Sequence, residues 1–238
     1  MNKLTYFKDG IISSVKDIEN LSNKDSGKIL VFSDTHNGDR DLLLKILDDF
    51  GQDVDAFLFC GDGVSEFLDI VQDAITDERL QEKLPELVAC VRGNNDSSSY
   101  ILSFPNEPID EVKNQNENEY KILQMNIPES VCFTLGNRKI FATHGHRHCV
   151  NFSLDQLYTI SDNLLVDMVF YGHTHRAYFE DNKGTLILNP GSVCYPRGGQ
   201  DPMLAVVSFP GIAERYTVEY FTVEKNILGN YSFHPENY

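Results

Sequence analysis

Short apolar runs rich in Val, Ile, Leu and Phe recur along the chain: Ile29–Phe32, Ala56–Cys60, Leu87–Val91, Lys139–Ala142, Asp167–Tyr171, Thr185–Leu188 and Met203–Ser208. They are four to six residues long and do not alternate with polar positions, the pattern of strands buried on both faces. Between several of them lie amphipathic stretches with helical spacing, Asp41–Phe50, Val64–Leu84 and Ser153–Leu165, and Asn37 or Asp39 can cap the first. This order of elements predicts an α/β protein. From Thr185 onward strands are joined by Gly and Pro turns, as in Asn189-Pro190-Gly191 and Pro210-Gly211, so the C-terminal third reads as β-rich. The run Asn106–Tyr120 is dense in Asn, Glu and Asp with almost nothing to bury, and reads as an exposed insertion.

The polar residues that follow the apolar runs carry the chemistry. Ile29–Ser33 leads into Asp34-Thr35-His36, Ala56–Cys60 into Gly61-Asp62, and Leu87–Arg92 into Gly93-Asn94-Asn95-Asp96. Lys139–Thr143 leads into His144-Gly145-His146, and Asp167–Tyr171 into Gly172-His173-Thr174-His175. In α/β sheets the loops leaving the strands converge on one crevice, where ligands bind. Taken singly, each motif has a plain structural reading: a helix cap for Asp34, a turn for Gly61-Asp62 or Gly93–Asp96, a surface pair for His144 and His146. Their conjunction does not. Six of the seven histidines, all but His234, fall in or within two residues of these clusters, and core packing offers no reason for histidine to gather after strands.

Oxygen and imidazole ligands without thiolate suit manganese, iron, zinc, cobalt, nickel or magnesium, with manganese the expected metal. Seven candidate ligands exceed what one ion takes from protein, so two divalent ions sharing a carboxylate fit the count. Such a pair leaves a net positive centre that attracts a phosphodiester anion, and a bridging water can ionise near neutral pH and attack phosphorus in line.

Length and composition limit the partners. With 238 residues, 41% of them hydrophobic, the chain can bury one sizeable core and is expected to be a single domain. Its formal charge of −16 repels phosphate backbones and anionic lipid, so neither a long nucleic acid nor a membrane surface is an expected partner. The five cysteines (Cys60, Cys90, Cys132, Cys149, Cys194) form no CxxC pair and read as reduced thiols. Residues Met1–Gly27 lack the basic start and apolar stretch of a signal peptide, and the expected address is the cytoplasm.

The five motifs, in this order, resemble the calcineurin-like metallophosphoesterase superfamily, and more narrowly its small bacterial and archaeal phosphodiesterase branch. The likeness spans about Lys28 to Val207; it leaves Met1–Gly27 as an N-terminal extension to a single domain over residues 28–238 and the insertion outside the branch's pattern. It implies a four-layer metallophosphoesterase fold, two stacked mixed β-sheets flanked by α-helices. It also implies that Asp34, His36, Asp62 and His175 hold one ion and that Asp62, Asn94, His144 and His173 hold the other, with Asp62 as the bridge. Many phosphatases of the superfamily carry His after the ligand Asn and Asp three residues after the bridging Asp, a pair that protonates the leaving oxygen. Here those positions are Asn95 and Ser65, so that source of general acid catalysis, worth roughly 10²–10⁴ in rate, is missing. His146 is the nearest candidate in sequence for a catalytic role, and Arg92, Arg147 and Arg176 are candidates to bind substrate phosphate. Two other readings stand beside a phosphodiesterase: a phosphomonoesterase or nucleotide pyrophosphohydrolase, and a metal-binding protein-interaction scaffold of the kind formed by a retromer subunit of the same superfamily.

Overall fold

The computed structural model describes residues 4–105, 120–211 and 215–236. The first half of the chain contains β1 (Tyr6–Lys8), β2 (Ile11–Ser13), α1 (Val15–Ser22), β3 (Gly27–Phe32), α2 (Arg40–Phe50), β4 (Ala56–Phe59), α3 (Val64–Thr76), α4 (Glu78–Lys83) and β5 (Leu87–Cys90). A hairpin follows, β6 (Ser99–Pro105) and β7 (Tyr120–Asn126), and then β8 (Ser130–Leu135), β9 (Arg138–Thr143), α5 (Asp155–Leu164) and β10 (Met168–Tyr171). The chain ends in β11 (Ala177–Asn182), β12 (Thr185–Pro190), β13 (Met203–Phe209), β14 (Thr217–Lys225) and β15 (Tyr231–Glu236). All seven apolar runs form strands. The hydrophilic insertion expected at Asn106–Tyr120 lies outside the described residues except for Tyr120, which begins β7.

Two mixed sheets stack face to face. One has eight strands in the order β1-β2-β5-β4-β3-β13-β14-β15, and the other five in the order β11-β12-β10-β9-β8. In the first, β3, β4 and β5 are parallel neighbours; in the second, β9, β10 and β12 are. The missing polar alternation of the runs now has its cause, because both faces of each strand are covered. Ile29 and Val31 of β3 point into the space between the sheets with Ile140, Phe170 and Leu188 of the second sheet. Leu30 and Phe32 point the other way, onto Leu43, Ile46 and Phe67 of α2 and α3. On the far side of the second sheet, Leu157 of α5 packs on Phe141, Val169 and Ile187. The layers are therefore helix, sheet, sheet, helix, as the resemblance implied.

Local chemistry decides details that periodicity blurred. Of the two proposed caps, Asp39 caps α2, its side chain accepting from the Asp41 N–H. The single amphipathic stretch Val64–Leu84 is two helices, because Asp77 adopts extended backbone (φ −106°, ψ 104°) and its carboxylate accepts the Arg79 N–H, starting a new helix instead of continuing the old one. The segment Met1–Gly27 includes the β1–β2 hairpin, which extends the large sheet by pairing antiparallel with β5. No helix among the described residues is long and apolar enough to cross a membrane.

Candidate metal centre

The parallel strands of both sheets end on one side, and the loops leaving β3, β4, β9 and β10 bring carboxylates and imidazoles into contact. Asp34 and His144 are completely buried, and Asp62 and His175 nearly so. His144 Nε2 lies 3.4 Å from Asp62 Oδ2 and 3.9 Å from Asp34 Oδ1. His175 Nε2 lies 3.3 Å from Asp34 Oδ1, and His36 Nε2 lies 3.8 Å from Asp34 Oδ1, 3.6 Å from Asp62 Oδ2 and 3.0 Å from His175 Nε2. Two ligand-sized groups result, Asp34–His36–His175 and Asp34–Asp62–His144. His173 stands beside them, its ring 5.1 Å from that of His144 and its backbone N–H donating to Asp34 Oδ2 at 3.1 Å.

Backbone conformation marks the same residues. Asp34, His36, Asp62, His173 and His175 all have positive φ, between 45° and 69°, although none is glycine. Left-handed backbone at such residues costs on the order of 1 kcal/mol or more apiece and persists where the surroundings impose it, characteristically at functional sites. The glycines beside them serve close approach: a Cβ on Gly93 would collide with the Asp62 carboxylate, and one on Gly172 with the Ser33 hydroxyl.

Three tests of polar satisfaction favour a cation. Asp34 Oδ1 and His144 Nε2 are both buried with no hydrogen-bond partner, yet both face the same small space. His144 Nδ1 is 2.7 Å from the Cys60 carbonyl and His175 Nδ1 is 2.6 Å from the Tyr195 carbonyl. Each Nδ1 therefore carries the proton, and each Nε2 presents a lone pair to the cluster, the tautomer that a metal requires. Burial also raises the Asp34 carboxyl above its ordinary range despite His144 and His175 nearby, so a further positive charge is what would keep it ionised. For Asp62 burial pushes the same way, but the nearby His144 and the hydrogen bonds from Asn95 overcome it and hold the carboxyl low. Burial and the adjacent His144 depress His173 to about 4, leaving it neutral and able to ligate.

The site also contains residues whose part sequence reasoning missed. Asp96 is the brace of the bridging loop: one of its oxygens accepts the N–H groups of Asp62 (2.7 Å) and Gly93 (2.8 Å), the other those of Gly63 and Val64 (both 2.9 Å). Asn95, known from sequence only as a missing histidine, donates to both oxygens of Asp62, from its backbone N–H and from Nδ2, each at 2.8 Å. Glu129, in the turn before β8, pairs with Arg92, with Arg147 Nε at 2.8 Å, and faces His146 Nε2 at 3.5 Å. Nothing in its sequence neighbourhood signalled that role. His146 is thereby held with its ring 5.4 Å from that of His144, its Nδ1 buried without a partner, and burial together with the charges of His144 and Arg147 lowers its pKa. Thus Arg92 and Arg147 are gathered with His146, whereas Arg176, exposed between buried His175 and Ala177, is not among them. Asn94 sits exposed in the turn after β5. The segment Asn189–Ser192 buttresses the centre: Asn189 Nδ2 donates to the Gly172 carbonyl at 2.8 Å and Ser192 Oγ to the Asp34 carbonyl at 2.8 Å.

Residues 28–210 match a known family model, the calcineurin-like phosphoesterase superfamily domain. The chain belongs to that superfamily. It is 27% identical over 195 residues to the probable metallophosphoesterase YsnB of Bacillus subtilis, covering 81% of this chain and 89% of the relative. It is 29% identical over 169 residues to phosphodiesterase MJ0936 of Methanocaldococcus jannaschii, covering 70% and 84%. Among solved structures, this calcineurin-like chain shares its fold with a predicted phosphoesterase of Streptococcus pneumoniae (TM-score 0.58, 24% identity, 89% and 98% coverage) and with Vps29 of Chaetomium thermophilum (TM-score 0.54, 20% identity, 88% and 96%).

Proposed function

We propose that this protein is a phosphodiesterase dependent on two divalent metal ions, manganese first among them, acting on small phosphoesters in the cytoplasm. The observation that carries the reading is the pair of buried, partnerless atoms, Asp34 Oδ1 and His144 Nε2, aimed into a cluster of carboxylate and imidazole ligands. Asp34, His36, Asp62 and His175 would hold one ion; Asp62, Asn94, His144 and His173 would hold the other. Ions held by these residues would supply Lewis acidity toward phosphate oxygens and lower the pKa of a bound water. The chain's own residues set the geometry. Asn95 pins both oxygens of Asp62, Asp96 fixes the loop that presents it, and the Cys60 and Tyr195 carbonyls orient His144 and His175. His173 Nε2 lies 3.0 Å from the Asn151 side-chain amide, a contact that fixes the orientation of the ring. Residues 28–238 act as one domain in this reading, with the N-terminal segment as an extension of its sheet.

Leaving-group protonation falls to His146 or to water, because Asn95 cannot transfer a proton and Ser65 donates to Glu66 at 2.7 Å. Arg92 and Arg147, clustered about Glu129, lie beside His146 where a phosphate oxygen can be bound. Since a fold does not decide function, and Vps29 shares this one, a binding scaffold is the second reading; the intact ligand set favours hydrolysis. The test uses metal-stripped protein with manganese, iron, zinc, nickel, cobalt or magnesium restored in turn, assayed on a monoester, a diester and a dinucleotide at equal concentration. Diester turnover that depends on added metal is expected. Tight metal binding without hydrolysis of any ester would establish the scaffold instead.

A further inference from the structure

A groove of about 540 Å³ lies beside the candidate metal centre, over the outer face of the second sheet. Thr174, between His173 and His175, forms part of its wall, and so does Asn151, whose side chain meets His173. Its floor and rim are aromatic. Phe152 is 91% exposed, an unusual state for phenylalanine, and Tyr178 is 42% exposed. The Tyr178 ring is not loose, because its hydroxyl donates to Glu180 Oε2 at 2.7 Å while Tyr158 donates to Glu180 Oε1 at 2.5 Å. Glu180 therefore locks two rings in place at once, and both its oxygens are occupied in doing so.

The same groove holds Arg176 and Arg197. In a chain with 36 acidic residues against 20 basic ones, neither makes an ion pair among the described residues. They are brought together by the backbone: the Arg197 N–H donates to the His175 carbonyl at 2.9 Å, and the Arg176 side chain lies along Gly198, where a Cβ would approach Nε to 3.1 Å. Gly198 has φ +74°, so glycine serves both the turn and the room for the guanidinium. Aromatic faces, that of Tyr178 held by Glu180, beside two guanidinium groups that make no ion pair among the described residues form a surface suited to stack a planar ring and bind an anion bidentately.

We propose that this groove is the specificity subsite, and that the substrate is a phosphodiester whose non-leaving arm carries a planar aromatic group and a second phosphate, as a nucleoside bisphosphate does. The inference rests on the phosphodiesterase reading above. The aromatic group stacks on Phe152 and Tyr178, the second phosphate meets Arg176 and Arg197, and the scissile phosphate then lies at the centre through Thr174 and Asn151.

Three diesters with one leaving group, p-nitrophenolate, isolate the arm: methyl p-nitrophenyl phosphate, bis(p-nitrophenyl) phosphate, and thymidine 3′-phosphate 5′-(p-nitrophenyl phosphate). For the metal-loaded enzyme, kcat/KM should rise about tenfold with the aromatic arm and about tenfold again with the second phosphate, mainly through KM. R197A should lose the second gain and F152A the first, so the ratios between substrates collapse whatever happens to the absolute rates. Equal kcat/KM for all three diesters, or ratios unchanged in both variants, would overturn the proposal. Binding of thymidine 3′,5′-bisphosphate to metal-free protein, followed by calorimetry, separates the subsite from the chemistry. If no diester is hydrolysed, the phosphodiesterase reading fails, and the subsite stands or falls on whether the bisphosphate binds and whether R197A weakens it about tenfold.

Discussion

Asp96→Asn probes how the centre is held rather than what it binds. In the native protein the Asp96 carboxylate accepts four backbone N–H groups, those of Asp62, Gly63, Val64 and Gly93, and all four of these residues are buried. Each oxygen takes two of them. Asparagine keeps one oxygen, so two bonds are lost and an amide NH₂ is turned toward two buried N–H donors. A hydrogen bond to a charged acceptor contributes about 1.5–3 kcal/mol, which puts the loss at roughly 3–6 kcal/mol. For a chain of this size about 1 kcal/mol moves the melting temperature by roughly 2–4 °C, so a drop on the order of 10 °C is expected. The loop that loosens is the one presenting Asp62, and metal retention should fall with it. Thermal unfolding followed by circular dichroism, with metal content measured on the same preparation, checks both. If the variant melts within about 3 °C of the parent and retains its metal, the four N–H groups have other partners and the brace assignment is wrong.

Glu129→Ala should free Arg92, Arg147 and His146 together and lower diester turnover by about tenfold or more while metal content holds; because the carboxylate is partly exposed, stability should change by only about 1 kcal/mol or less. Steady-state kinetics beside elemental analysis decides it, and unchanged kcat and KM would reduce the cluster to a surface contact. His144→Ala and His173→Ala are expected to act on one ion, so a double variant should lose little more than either single one; fully multiplicative losses would assign them to different ions. With Asn95 tied to Asp62 and no acid at Ser65, rates on aryl diesters should climb steeply as the leaving phenol becomes more acidic, and a flat dependence would mean that a proton is supplied elsewhere, with His146 the first residue to replace.

The strand framework and the identity of the chemistry were legible in the chain because both are written locally. A run such as Ile29–Phe32 is apolar at every position only when both strand faces are buried, and a ligand placed one or two residues after such a run sits at the strand's end whatever the sheet order. Composition and spacing therefore led to an α/β fold and to Asp34, His36, Asp62, Asn94, His144, His173 and His175 as candidate ligands of one site, of which Asn94 stands exposed in its turn. Short and half-buried elements carried too little pattern to be read. The β1–β2 hairpin has three residues per strand, and in β6 and β7 the exposed Ile101 and Ile122 blur the alternation that buried Leu102 and Met125 would show. The helix break at Asp77 was hidden because apolar spacing continues across it.

Only the tertiary structure decided which polar residues support the ligands, since support comes from partners distant in sequence. Asp96 reaches the Asp62 loop across 34 positions, Glu129 reaches Arg92 across 37, and Cys60 orients His144 across 84. The same holds for the groove, whose Phe152, Tyr178 and Arg197 come from three separate segments. Covalent neighbours determine a residue's backbone preference and which face it turns to the core. What a carboxylate or a guanidinium does is set by the groups that folding places within about 3 Å of it, and those are chosen by packing of the two sheets.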